Sequence, residues 1–203
     1  MGSIYGKYEE YLRQVCDDLR QKVESYSSAE YRKSGTHISE HIDIRIKSDV
    51  SMREKCRKKG LEETAENALS TISDSIGMRI VCSFTDDIYK NISYIRSMEG
   101  CTVIKEKDYI THAKPNGYRS YHMIISLEEP FEDVFGNVPG RYKAEIQLRT
   151  IAMDSWAALE HKMRYKKDIK NQLLIESELK RVADELASCD LSMQTIRDLI
   201  ERA

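Results

Sequence analysis

The chain has 203 residues, 40% of them apolar and 33% charged, with a formal net charge of −2. That balance describes one globular domain able to bury its own core; it argues against a disordered chain and against a protein that coats nucleic acid by bulk charge. No apolar run of eighteen residues offers a membrane span, and the five cysteines are scattered, odd in number and without a CxxC pair, which points to reduced thiols in a cytoplasmic protein rather than a disulfide framework or structural zinc.

Residues 4–24 place Tyr8, Leu12, Val15, Leu19 and Val23 at spacings of three and four, the signature of an amphipathic helix. The polar stretch 26–41 reads as a turn region leading to a strand. Over 42–47 (IDIRIK), Ile42, Ile44 and Ile46 share one face while Asp43, Arg45 and Lys47 share the other, so a half-buried strand offers two cations on its open side. Ser51 followed by Glu54 fits a capping box, and a short basic helix is expected from there to Gly60. Segment 45–59 holds seven Lys or Arg against two acidic residues, either a solvated helix face or a local anion pocket. Residues 61–73 are helix-permissive. A central strand is expected over 77–84 (GMRIVCSF). Asp86 is a candidate cap for a helix over 87–98, with Ile88, Ile92 and Ile95 on one face and Gly100 closing it.

Strands at 101–106 and 121–127 flank a loop, 108–120, with a Pro-Asn-Gly turn signal. A loose Pro/Gly connection at 129–140 leads to the cleanest strand, 142–149 (YKAEIQLR). Helices are expected over 151–164 and 171–202. This order predicts a single α+β domain spanning 1–203, with a mixed sheet of about five strands and flanking helices. The apolar stripes of the terminal helices, 4–24 and 171–202, either pack on the sheet or serve an oligomer.

In 142–149, Ala144, Ile146 and Leu148 point to one side, and Lys143, Glu145, Gln147 and Arg149 to the other. The polar side is either a wet outer face or the floor of a site. In a site, Glu145 would bind a metal or take a proton, Gln147 would fix a substrate, and Arg149 would hold phosphate or anchor Glu145. Asp74, at the entrance to strand 77–84, is either a turn cap or a second carboxylate for Mg²⁺. Arg79, in an otherwise apolar run, needs a carboxylate or a planar ligand. Arg45, Lys47 and Lys55 suit a polyphosphate, gripped by side chains because the chain has neither a P-loop nor a GxGxxG motif. In the loop 114–122 (KPNGYRSYH), Tyr118 is either an ordinary core or surface aromatic or a ring offered to a base, Asn116 offers a base-edge partner, Lys114 a phosphate contact, and His122 is either a satisfied core histidine or a second phosphate contact. Trp156 reads as core packing, with Glu160 or His161 bracing the site.

Four blocks together, IRIKSDVSMREK (44–55), DSIGMRIVCSFTDDIY (74–89), KDYITHAKPNGYRSYHMII (107–125) and AEIQLRTIAMDSWAALEHKMRYK (144–166), resemble the synthetase domain of RelA/SpoT-type proteins. The resemblance covers about 40–166, with flanking helices like those of the single-domain small alarmone synthetases. It implies a nucleotidyltransferase-like mixed sheet and transfer of pyrophosphate from ATP to the 3′-hydroxyl of GTP or GDP, giving pppGpp or ppGpp and AMP. Carried over position by position, Arg45, Lys47, Lys55 and Arg79 would bind ATP, with Arg79 near the adenine. Asp74 and Glu145 would hold Mg²⁺, with Glu145 also activating the 3′-hydroxyl. Lys114, Asn116, Tyr118, His122 and Gln147 would position the acceptor nucleotide, Tyr118 by stacking on guanine. No His-Asp dipeptide of the family's hydrolase is present, so synthesis without hydrolysis is expected. Small synthetases of this kind form homotetramers through terminal helices, and some respond to their product or to RNA; the same partners are candidates here. The alternatives are a same-fold enzyme acting on the 3′ end of tRNA, for which the basic runs at 57–59 and 164–167 speak, and an inactive nucleotide-sensing module.

Overall fold

A computed structural model describes residues 2–164 and 171–202. In chain order the elements are α1 (Tyr8–Ser34), β1 (His41–Ile46), α2 (Asp49–Lys58), a π-helical turn (Asn67–Thr71), β2 (Ile76–Cys82), α3 (Thr85–Ser97), β3 (Cys101–Asp108), β4 (Tyr121–Glu129), β5 (Gly140–Thr150), α4 (Ile151–Arg164) and α5 (Gln172–Glu201). The described residues form a five-stranded sheet in the order β1-β2-β5-β4-β3. Only the β2/β5 pair is parallel; the other three are antiparallel. The expected mixed α+β sheet is therefore present, with β5 at its centre. Among the described residues no helix is long and apolar enough to cross a membrane.

Register explains the two faces. Across β1, β2, β5 and β4 one row runs Ile44–Met78–Ile146–Met123 and the next Ile42–Ile80–Leu148–Tyr121. These rows face the core, where Met78, Ile80, Met123, Ile146 and Leu148 are buried. Helix α1 covers them with Leu12, Val15, Leu19 and Val23, and α3 adds Ile88, Ile92 and Ile95, all buried. By the two-residue strand period, the intervening rows must lie on the opposite face.

Four local expectations change. Helix α1 runs on through 26–34, which the sequence marks as a turn region. Tertiary packing holds it there: Tyr26 stacks on Tyr94 with ring centroids 4.1 Å apart, Ser27 is buried, and Gly35, at φ 73°, ends the helix by donating to the Tyr31 carbonyl. At the other end, residues before Tyr8 form a turn rather than helix. Their Ile4 N–H donates to Asp49 (2.6 Å) and the Tyr5 hydroxyl to the Lys47 carbonyl (2.7 Å), bracing the β1–α2 corner. The α2 cap is Ser48, whose hydroxyl accepts from the Ser51 N–H, so the Ser51–Glu54 box is not the start of that helix. Helix α3 begins at Thr85 without a side-chain cap; Asp86 lies inside its first turn and accepts instead from the Gln194 side chain of α5.

The terminal helices divide. The α1 stripe is consumed inside the protomer and offers nothing to a partner. On α5 only Ala183 is buried, while Leu174, Leu191, Ile196 and Ile200 are exposed. Helix α5 docks at points: Arg197 pairs with the buried Asp87 at 2.8 Å, the Thr150 hydroxyl donates to Asp190 at 2.6 Å, and the Trp156 indole donates to the Leu179 carbonyl at 2.8 Å.

Candidate active site

On the face opposite the core, the rows read Arg45–Gly77–Glu145–Ile124 and Asp43–Arg79–Gln147–His122. The alternation of β5 thus does make a floor. A cleft of about 710 Å³ opens over it, lined among others by Arg45, Lys47, Asp74, Arg79, Tyr118, Glu145 and Gln147. Seven of the eleven expected site residues therefore line one cavity. Gly77 separates Arg45 from Glu145 in its row, and a Cβ built on it meets nothing within 4 Å, so the missing side chain leaves the floor open.

On one side of the cleft Asp74 is the focus. Its Oδ2 accepts from Lys55 at 2.5 Å and Lys47 at 2.9 Å. Burial by itself pushes the Asp74 carboxyl up, but the hydrogen bonds and charges of the two lysines prevail and hold it below the ordinary value. Its Oδ1 is buried with no hydrogen-bond partner among the described residues. Lys55, which does not line the cleft, reaches it through Asp74. Arg79 forks between Asp154 and Asp43, at 3.3 Å each. Arg45 stands exposed on β1. Lys143, the first cation of the β5 row, donates to the Ser70 carbonyl of the π-helical turn and contributes nothing to the cleft lining.

On the other side, Glu145 is held at both oxygens. His122 Nδ1 lies 3.5 Å from Oε1, and the Gln147 amide donates to Oε2 at 3.2 Å. The His122 contact, working against burial, keeps the Glu145 carboxyl below its ordinary value. Behind it, His122 Nε2 meets the Tyr118 hydroxyl at 2.8 Å. Arg149 donates to that hydroxyl at 2.9 Å and to the Gln147 carbonyl at 2.7 Å. A closed ring results: Glu145, His122, Tyr118, Arg149, Gln147. Lys114 and Asn116 sit just outside it. The Lys114 ammonium lies 4.7 Å from the Tyr109 ring and 4.6 Å from the Tyr118 ring. Asn116 donates to Glu160 at 3.4 Å and accepts the Tyr118 N–H, which fixes the turn. Gly117, at φ 90°, is needed twice: its backbone is left-handed, and a Cβ there would sit 2.5 Å from Ala183 of α5.

Two features escape the sequence pattern. Gly77 carries no chemistry and declares itself only by register. Asp154, in the first turn of α4, bridges Arg79 and Arg149 at 3.3 and 3.0 Å. Its charge at a helix start reads locally as a dipole partner.

A mixed sheet with a cation-lined cleft, two carboxylates and no glycine-rich phosphate loop defines a nucleotide-handling transferase architecture. The family described as "Region found in RelA / SpoT proteins" matches residues 44–170, more than half of the chain, and the chain belongs to that family. It is 41% identical over 169 residues to the GTP pyrophosphokinase YwaC of Bacillus subtilis, covering 82% of this chain and 78% of that protein. It is 31% identical over 192 residues to GTP pyrophosphokinase YjbM of the same organism, covering 94% and 87%. The crystal structure of the small alarmone synthetase 1 from Bacillus subtilis bound to its product pppGpp superposes with a TM-score of 0.79 at 31% identity, over 96% of this chain and 98% of that one.

Proposed function

We propose that this chain is a GTP pyrophosphokinase that moves the β,γ-pyrophosphate of ATP to the 3′-hydroxyl of GTP or GDP, releasing AMP. One observation carries the reading: Glu145, ionised and held at both oxygens, lines the same cleft as Asp74, whose other partners are the phosphate-seeking Lys47 and Lys55.

ATP lies over β1 and β2, its phosphates on Arg45, Lys47 and Lys55 and its adenine against Arg79. As the triphosphate enters, it takes over hydrogen bonds that the two lysines give Asp74. The acceptor guanine takes the face of Tyr118 that Lys114 covers, and Lys114 turns to the acceptor's 5′ phosphates. Asn116, His122 and Gln147 fix the acceptor's position. Glu145 receives the proton of the 3′-hydroxyl as its oxygen attacks the β-phosphorus. The bond from that phosphorus to the α–β bridging oxygen breaks, and AMP leaves. Holding the reactants in line and offsetting charge are the main contributions of the protein.

The residues present fit a magnesium ion. Asp74 offers a buried, unpartnered carboxylate oxygen, and Glu145 a second hard ligand on the same cleft. Among the described residues no cluster of three or more metal-ligating side chains occurs, which suits an ion shared with substrate phosphates rather than caged by protein. When bound, Mg²⁺ would offset the charge that builds on the phosphates.

Self-association is assigned to α5, whose exposed apolar residues are left uncovered by the described residues. The tRNA-directed alternative gains no support: Arg57 at the end of α2 pairs with Glu63 at 3.3 Å, and residues 165–167 of the second basic run lie outside the described residues. The test is to incubate the protein with labelled ATP, Mg²⁺ and, separately, GTP, GDP, GMP or tRNA. Label in a guanosine 3′-diphosphate with matching AMP is expected; label on tRNA alone, or no AMP, contradicts the proposal.

A further inference from the structure

We propose that Arg149 and Asp154 form a positioning pair that sets the polarity of the hydrogen bonds behind Glu145 and ties the acceptor half of the site to the donor half. The inference rests on the acceptor-side roles of Tyr118 and Glu145 given above.

The Arg149 side chain is only 9% exposed. Its Nη1 is committed to Asp154 (3.0 Å), and its Nη2 to the Tyr118 hydroxyl (2.9 Å) and the Gln147 carbonyl (2.7 Å). With these groups engaged, it anchors the ring rather than reaching for phosphate. A guanidinium can only donate. The Tyr118 oxygen, accepting from Arg149, is left to donate its own proton, and the acceptor within reach is His122 Nε2 at 2.8 Å. A neutral His122 then carries its proton on Nδ1, the nitrogen that faces Glu145 Oε1. In the same way, the Gln147 carbonyl accepts from Arg149, which turns its amide toward Glu145 Oε2. Both donors to the carboxylate are thus oriented from one arginine. The Asp154 carboxylate holds that arginine and also Arg79, which lies across β5 on β2. Movement of Arg79 by a bound adenine is therefore transmitted to the groups around Glu145 through one shared oxygen, Asp154 Oδ1.

The test is a double-mutant cycle in the full chain, with kcat and KM measured for both nucleotides. Arg149→Gln, Asp154→Asn and Tyr118→Phe are each expected to lower kcat about tenfold, with KM for GTP changing less than about threefold, because misorientation costs rate more than binding. Combining Tyr118→Phe with Arg149→Gln should cost at least about fivefold less than the product of the single effects, since both act on one chain. Asp154→Asn, which keeps the size of the side chain, carries the same cycle if Arg149→Gln fails to fold. Arg149→Lys should not restore kcat, because a compact ammonium on a flexible stem cannot reproduce the planar fork that spans Asp154, Tyr118 and Gln147. Full activity in Arg149→Lys, or simple multiplication of effects in the cycle, would overturn the positioning role. If instead Tyr118→Phe and Glu145→Gln leave turnover intact, the acceptor-site reading itself fails and the inference with it.

Discussion

The role proposed for Glu145, that of proton acceptor, rests on what surrounds it. A carboxylate with a donor on each oxygen stays ionised and fixed in direction, and its partners His122 and Gln147 lie on β4 and β5 beside it. Replacing it with Gln keeps the size but removes the charge and the basicity, and it turns an amide NH2 toward one of the two donors. Glu145→Gln should lower kcat by about 10²–10⁴-fold while nucleotide affinity, read by calorimetry, stays within a few-fold. Retained turnover would show that another group takes the proton. Gly77 gives a sharper geometric prediction. Its added Cβ meets no protein atom within 4 Å, and valine suits a strand, so Gly77→Val should keep the fold, with a melting temperature within a few degrees of the wild type. The same side chain would project between Arg45 and Glu145 and should abolish turnover. A folded, active variant would mean that substrate does not cross this part of the floor.

At the scale of elements, the loop 114–122, proposed to hold the acceptor, packs directly on α5. Gly117→Ala would bring a Cβ to 2.5 Å from Ala183 and place alanine at φ 90°. The expected outcome is a raised KM for the guanine nucleotide with KM for ATP little changed; equal effects on both would argue against a local role. Strand β4 carries a different weakness. Burial, with the nearby Asp18 adding and Lys22 opposing, pushes the Glu129 carboxyl above its ordinary value, and its Oε1 has no hydrogen-bond partner among the described residues. A raised acid favours the fold when protonated, so this contribution to stability is lost as pH rises from the unfolded value through the higher folded one. Glu129→Gln should therefore raise stability at neutral pH by about 1 kcal/mol, a gain of a few degrees in melting temperature that vanishes in acid.

These elements also show where sequence pattern suffices. The β5 alternation is legible because a strand repeats every two residues, and one polar face follows from Lys143, Glu145, Gln147 and Arg149 alone. The resemblance implies roles for Asp74 and Tyr118, and the folded chain brings both to one cleft although neither lies in a strand. What pattern does not carry is set by contacts distant in sequence. The extra turns of α1 depend on Tyr94, 68 residues beyond Tyr26. The cap of α2 falls on Ser48 because Ile4 and Tyr5 fix that corner. Asp154 gains its meaning only when Arg79 and Arg149 converge on it.

Taken whole, the molecule keeps a slight net negative charge of −2 while concentrating cations at one cleft. That arrangement draws polyphosphates locally without inviting bulk nucleic-acid binding. Helix α5 lies between this cleft and the outside: on one side Ala183 packs against Gly117 of the loop 114–122, and on the other Leu191 (69% exposed) and Ile196 (52%) face outward. Sedimentation of the wild type should report an oligomer, and Leu191→Glu with Ile196→Glu should reduce it to monomers; a monomeric wild type would remove α5 as a self-association surface. The central claim is tested most directly by ³¹P NMR of the product formed from ATP and GTP with Mg²⁺. The expected spectrum places a diphosphate on the guanosine 3′ oxygen, with one AMP formed per product and both formed at least about 10²-fold more slowly by Glu145→Gln. ADP with a singly phosphorylated guanosine, or the same product from Glu145→Gln at the wild-type rate, would contradict it.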